Sequence, residues 1–142
     1  MIEAVDDPEI VNRFVNHPDI HSHFGGAAYL DLTAAVNDPN VFLFGEHGGF
    51  CFSWSAPRTF EIHVAIMPEG RGKWAFRAAA QALEHMDEIS DHLWARVNPV
   101  QFHTAFFTRK HGFKHCGFNT LDLGQGPVRW DLYNRRIRCH QP

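Results

Sequence analysis

Hydrophobic and polar positions change period twice along this chain. Phe60, Ile62, Val64 and Ile66 alternate with Glu61, His63 and Ala65, the period of two expected of a strand. After Met67-Pro68 the period lengthens. Phe76, Ala79, Leu83 and Met86 recur every three or four residues, and Ala75, Ala78, Ala80 and Ala82 favour helix. Leu93 to Val97 reads as another strand. Asn98-Pro99 then reads as a helix start, with Asn at the cap and Pro in the first helical position. Phe102 and Phe106 share a face of that helix, and Gly112 supplies a left-handed C-cap over which Phe113 can fold back. A strand, helix and strand joined by a right-handed crossover place 60–66 and 93–97 parallel in one sheet.

The flanks add antiparallel strands and one more helix. Asp7-Pro8 opens a helical stretch carrying Ile10, Val11, Phe14 and Val15, which His17-Pro18 interrupts; Gly25-Gly26 marks a loop. Residues 29–36 read as a short helix or as irregular chain, and Asn37-Asp38-Pro39-Asn40 as a turn. The runs 41–44 and 50–54 are strand-like and lead by short turns into 60–66, which suggests a meander. Near the other end, 115–122 and 128–134 form a predicted hairpin around Gly124-Gln125-Gly126-Pro127. The whole reads as α+β (mixed α/β), a mixed sheet with helices against it, in a single domain over 1–142.

Composition narrows what such a domain can do. With 142 residues, 44% apolar positions, 13 Phe and 4 Trp, the chain can bury a substantial core, and 20% charged residues argues against disorder. A net charge of −3 argues against general nucleic-acid binding. Arg135, Arg136 and Arg138 form the one local basic cluster, which a solvated strand end explains. Cys51, Cys116 and Cys139 stand at unrelated spacings, so no disulfide framework is implied. The acidic N-terminus has no apolar run like that of a signal peptide, and no stretch has the length to span a bilayer. A soluble, cytoplasmic protein is expected.

Two blocks carry a family resemblance. Met67-Pro68-Glu69-Gly70-Arg71-Gly72-Lys73-Trp74-Ala75-Phe76 follows the third predicted strand of the meander, and Val97-Asn98-Pro99 leads to Phe107-Thr108-Arg109-Lys110-His111-Gly112-Phe113. Together with the order of elements they resemble the GNAT superfamily of acyl-CoA transferases, most strongly over 60–113. The resemblance implies a twisted, mostly antiparallel sheet with a central parallel strand pair and helices on both faces. It implies acetyl-CoA as cosubstrate, an amine as acceptor, and no metal. Backbone amides from Arg71 through Gly72, Lys73, Trp74 and Ala75 would receive the CoA pyrophosphate, because N–H groups at a helix start point outward. The edge at Ala65, Ile66 and Met67 would pair with the pantetheine arm, and Asn98 would steady it.

For amine acetylation a base must remove a proton from the acceptor. Glu61 and His63 share a face of the strand leading into the turn and are the candidates, although two solvent-facing side chains would give the same pattern. His103 is a weaker candidate. Thr108 stands where the family pattern often has Tyr as proton donor to the leaving thiolate, and Trp74 and Phe76 stand where small residues are usual. These departures support an alternative expectation, a GNAT-fold protein without turnover that serves as an interaction or assembly module with protein partners, as in a phage particle. The shortened turn and the His-containing strand are similar to those of phage-encoded members. Eleven His residues raise the question of metal, but neither His21-Ser22-His23 nor His111 with His115-Cys116 has the spacing of a structural zinc site. Cys51 and Cys116 are not expected to carry acyl groups.

Overall fold

The computed structural model describes residues 1–24, 28–122, 124 and 126–136. Gly25-Gly26, Gln125, Arg138 and Cys139 lie outside the described residues. In chain order the elements are β1 (Ile2–Ala4), α1 (Pro8–Val15), α2 (Pro18–His21), β2 (Val41–Gly45), β3 (Gly48–Ala56), β4 (Thr59–Ile66), α3 (Lys73–Ile89), β5 (His92–Val97), α4 (Phe102–Lys110), β6 (Lys114–Asp122) and β7 (Pro127–Arg136). The described strands form one sheet in the order β1-β2-β3-β4-β5-β7-β6. Every neighbouring pair is antiparallel except β4 and β5, which are parallel as the crossover requires. The closing hairpin docks through β7, its second strand.

Period-two patterning sorts the sheet into two faces. Leu43, Phe50, Phe52, Phe60, Leu93 and Val97 join the core beneath α3 and α4, with Ala78, Ala82, Met86 and Ala105. Phe42, Phe44, Cys51 and Ala65 join the opposite core, with Val11, Phe14 and Val15 of α1 and Ile20 of α2. Helices therefore cover both faces, and β4 is buried on both. That is why Glu61, on the polar side of the alternation, is only 7% exposed.

Local chemistry fixes the helix starts. Asp7 caps α1 by accepting from the Glu9 N–H at 3.0 Å, and the His17 Nδ1 accepts from the Asp19 N–H at 3.1 Å at the start of α2. One expectation is corrected. Asn98 does not cap α4: its Oδ1 accepts from the Val100 N–H at 3.0 Å, and the Gln101 N–H donates to the Asn98 carbonyl, closing a turn over 98–101. The helix starts only at Phe102, with Gln101 in the cap position. The three-residue strand β1 is new to the sequence reading. Residues 29–36 prove irregular and are held by α1, where Asn12 Oδ1 accepts from the Leu32 N–H at 2.8 Å and Asn16 Oδ1 from the Leu30 N–H at 2.7 Å. Among the described residues no helix is long and apolar enough to cross a membrane.

Candidate active site

The parallel ladder between β4 and β5 is short. It pairs Thr59 with His92, Phe60 with Leu93 and Glu61 with Trp94, and goes no further. Beyond it, 62–66 stay with β3 while 95–97 stay with β7, so the sheet splits in its middle. A cavity of about 650 Å³ fills the split, within the size range of small-molecule sites. Ile20 and Phe24 line it from the α2 side, and Ala75, Ala79, Thr104 and Thr108 line it from the α3–α4 side. It therefore passes between the two helical layers. The small side chains that α3 presents leave this room.

At one end lies the turn into α3. Pro68–Gly70 form a single 3-10 turn, Arg71 is extended, and Gly72 at φ 113° sets the direction in which the helix departs. That conformation is rarely open to a residue with a side chain. A Cβ on Gly72 would meet nothing within 4 Å, so the space above the turn is open. The first intrahelical bond is from the Phe76 N–H to the Gly72 carbonyl, which leaves the Lys73, Trp74 and Ala75 amides without helical acceptors. Other groups of the turn are already engaged. The Arg71 N–H donates to the Pro68 carbonyl and the Met67 N–H to the His47 carbonyl. The Arg71 side chain reaches the Ile66 carbonyl (3.2 Å) and the Asp19 carbonyl (2.9 Å), clamping α2 to the end of β4. Trp74 turns away from the cavity to pack edge-on against His47, with ring centroids 5.1 Å apart. Phe76 does line the cavity, beside Phe107 and His111.

On the α2 face, Glu61 is gripped by Arg96, whose Nε donates to Oε2 at 2.8 Å and whose Nη2 donates to Oε1 at 3.1 Å. His63 Nε2 lies 3.4 Å from the same Oε1. A carboxylate only accepts, so Nε2 carries a proton, and Nδ1 holds the lone pair when the ring is neutral. Burial pushes the Glu61 carboxyl up, but hydrogen bonds from His63 and Arg96 and their charges more than offset this and hold it below the ordinary value of 4.5. Glu61 is thus an ionised anchor, and His63, which lines the cavity next to Phe24 (centroids 5.9 Å), is the group able to take up a proton.

The other expected residues divide. Thr108 is in the cavity wall, but its hydroxyl donates to the Thr104 carbonyl at 2.7 Å. Asn98 is half-buried in its turn and is not among the lining residues, whereas Ile66 is. Arg96 escaped the sequence reading because 35 positions separate it from Glu61; its two-residue offset from Trp94, opposite Glu61, is visible only once the register is known. His111 was considered only as a metal ligand. It lines the cavity, with Nδ1 bonded to the Phe107 carbonyl at 2.9 Å. Among the described residues no group of three or more His, Cys, Asp or Glu converges as a metal site.

No protein-family profile matches this sequence, and no curated protein matches it. Solved structures do match. The chain is similar to yncA of Salmonella typhimurium, assigned as an acetyltransferase and solved with its cofactor acetyl-CoA, at 13% identity over 100% of this chain and 96% of that one, with a TM-score of 0.78. A GNAT-family acetyltransferase from Streptococcus pneumoniae matches at 13% identity over 96% and 98%, TM-score 0.72. A ribosomal-protein-alanine N-acetyltransferase from Brucella melitensis matches at 16% identity over 96% and 99%, TM-score 0.70. The fold is the GNAT fold: a mixed, mostly antiparallel sheet with one parallel pair.

Proposed function

We propose that this chain is an acyl-CoA-dependent N-acyltransferase that moves an acetyl group from acetyl-CoA to an amine. One observation carries the reading: the split between β4 and β5 joins the open amides at the start of α3 to the His63–Glu61–Arg96 group across the sheet. Fold alone would not suffice, since one fold hosts many chemistries. Here the start of α3, at Gly72 and Ala75, and a base suited to an amine, His63, border one cavity. The Lys73, Trp74 and Ala75 amides hold the pyrophosphate. The edge of β4 over 62–66, unpaired toward β5, receives the pantetheine arm as an added strand would.

His63 Nδ1 takes a proton from the acceptor nitrogen as that nitrogen attacks the thioester carbon. The C–N bond forms, the C–S bond breaks, and the electron pair leaves on sulfur. Glu61 and Arg96 hold His63 in the required tautomer and are positioning residues. Because the Thr108 proton is engaged by Thr104, the thiolate leaves unassisted by that side chain. Calorimetric titration with acetyl-CoA is the first test, and silence at millimolar ligand ends the proposal. Transfer should then fall about 100- to 10,000-fold in His63→Gln while acetyl-CoA affinity stays within twofold.

The engaged Thr108 hydroxyl also supports a second reading, a GNAT-fold module that binds partners without turnover, including service in a phage particle. Acetyl-CoA binding with transfer to any amine would exclude it.

A further inference from the structure

The charges around the cavity are one-sided. Among the described lining residues Arg71 and Arg96 are cationic, His63, His103 and His111 are imidazoles, and no Asp or Glu is present. Glu61, the carboxylate that touches two of these residues, is already bound by Arg96 and His63. No other carboxylate among the described lining residues is there to pair with a second ammonium group, and stripping water from an unpartnered charge is costly. A polyamine, an aminoglycoside or a lysine-rich peptide would bring such groups.

Arg96 is differently placed. It meets Glu61 through Nε and Nη2, the side-on edge of the guanidinium. The end-on edge, formed by Nη1 and the second Nη2 hydrogen, has no acceptor among the described residues, and Arg96 lines the cavity. Glu61 on one side and the Trp94 ring 5.5 Å from the guanidinium carbon hold it in place. A fixed guanidinium with a free fork matches a carboxylate or similar oxyanion in two parallel bonds. Arg96 and His63 both reach Glu61 Oε1, at 3.1 and 3.4 Å, so the two groups flank one carboxylate oxygen at the cavity wall. Ile20, Phe24 and Trp130 supply apolar walls nearby.

We infer that the acceptor is a small amine that also carries an acidic group, of the class of an amino acid with an apolar side chain. Its oxyanion sits on the end-on edge of Arg96 and its amine at His63. This rests on the acetyltransferase reading and adds the acceptor class to it.

The test compares three acceptors with acetyl-CoA in the purified wild type: L-phenylalanine, phenethylamine, which is the same molecule without its carboxylate, and spermidine. L-phenylalanine should exceed phenethylamine in kcat/KM by about tenfold to a hundredfold, and spermidine should be poorest. In Arg96→Lys, which keeps the charge but loses the fork, the ratio of the first two should collapse to within about threefold. A structural role for Arg96 would lower both rates together and leave the ratio standing. Phenethylamine or spermidine used as well as L-phenylalanine, or a ratio unmoved by Arg96→Lys, would overturn the inference while leaving acetyl transfer intact. Acetyl-CoA bound without transfer to L-phenylalanine overturns it too. No binding of acetyl-CoA at all removes the underlying reading, and this with it. The wild-type comparison stands even if the variant folds poorly.

Discussion

Glu61 and His63 share one face of β4, yet a single contact gives them different tasks. A carboxylate 7% exposed would ordinarily be pushed toward its neutral form. Arg96 and His63 reverse that and keep Glu61 ionised. The consequence for stability has a definite sign. A depressed folded-state pKa contributes stability at every pH above the unfolded value, about 4.3 for a glutamate, and loses it as pH falls through the folded value. Urea midpoints of the wild type should therefore drop on acidification from about pH 5 to about pH 3, and Glu61→Gln should flatten that part of the profile. At pH 7 the same change should cost about 2 kcal/mol, between the values for exposed and fully buried pairs, because Arg96 keeps only a neutral partner. Equal acid sensitivity in both proteins would mean that the Arg96–Glu61 pair does not form in solution. The residue pattern could nominate Glu61 and His63 but could not rank them. Ranking needed Arg96, and Arg96 needed the strand register.

The elements were legible where their period was strong and illegible where turn chemistry competed with capping. β4 follows from alternation, α3 from helical spacing, and β2, β3 and β5 from short apolar runs bounded by turns. Asn98-Pro99 misleads because Asn can serve a helix or a turn with the same side-chain oxygen. Here it takes the Val100 N–H, and the helix waits until Phe102. β1 is invisible because three residues show no period, and its pairing with β2 is a tertiary fact. The turn into α3 was legible, but only part of it is free to bind. Gly72 carries that part, since its φ of 113° aims the first-turn amides at open space. Gly72→Ala should cost about 1–3 kcal/mol of stability from backbone strain alone. By re-aiming the amides it should also weaken acetyl-CoA binding at least tenfold in calorimetry. Lost stability with unchanged affinity would place the pyrophosphate elsewhere.

At the scale of the whole molecule, the decisive feature is a parallel ladder that stops after Glu61 and Trp94 while both strands continue with other partners. No local pattern encodes that stop. The antiparallel neighbours β3 and β7 hold the outer edges of the two strands past that point, and α3 sets Ala75, Ala79 and Ala82 against the opening. In the sequence Ala75 and Ala82 read as helix formers, Ala79 as part of the helical period and the Ala75 amide as a pyrophosphate donor; a further role of these small side chains is to leave space. This gives a test at the same scale. A ligand that binds only the folded state stabilises it by about 2.7 kcal/mol at a hundred times its Kd, roughly 10 °C in Tm for a domain of this size. Acetyl-CoA should raise the wild-type Tm by about that much. Ala79→Phe would place a ring where the pantetheine arm is proposed to lie. Because the ring enters existing space rather than packed atoms, the unliganded Tm should hold or rise, while the acetyl-CoA shift should vanish. A shift that survives Ala79→Phe would mean the cosubstrate binds outside the split sheet. A variant that unfolds without ligand would mean the opening beside α3 is already closed by its own side chains.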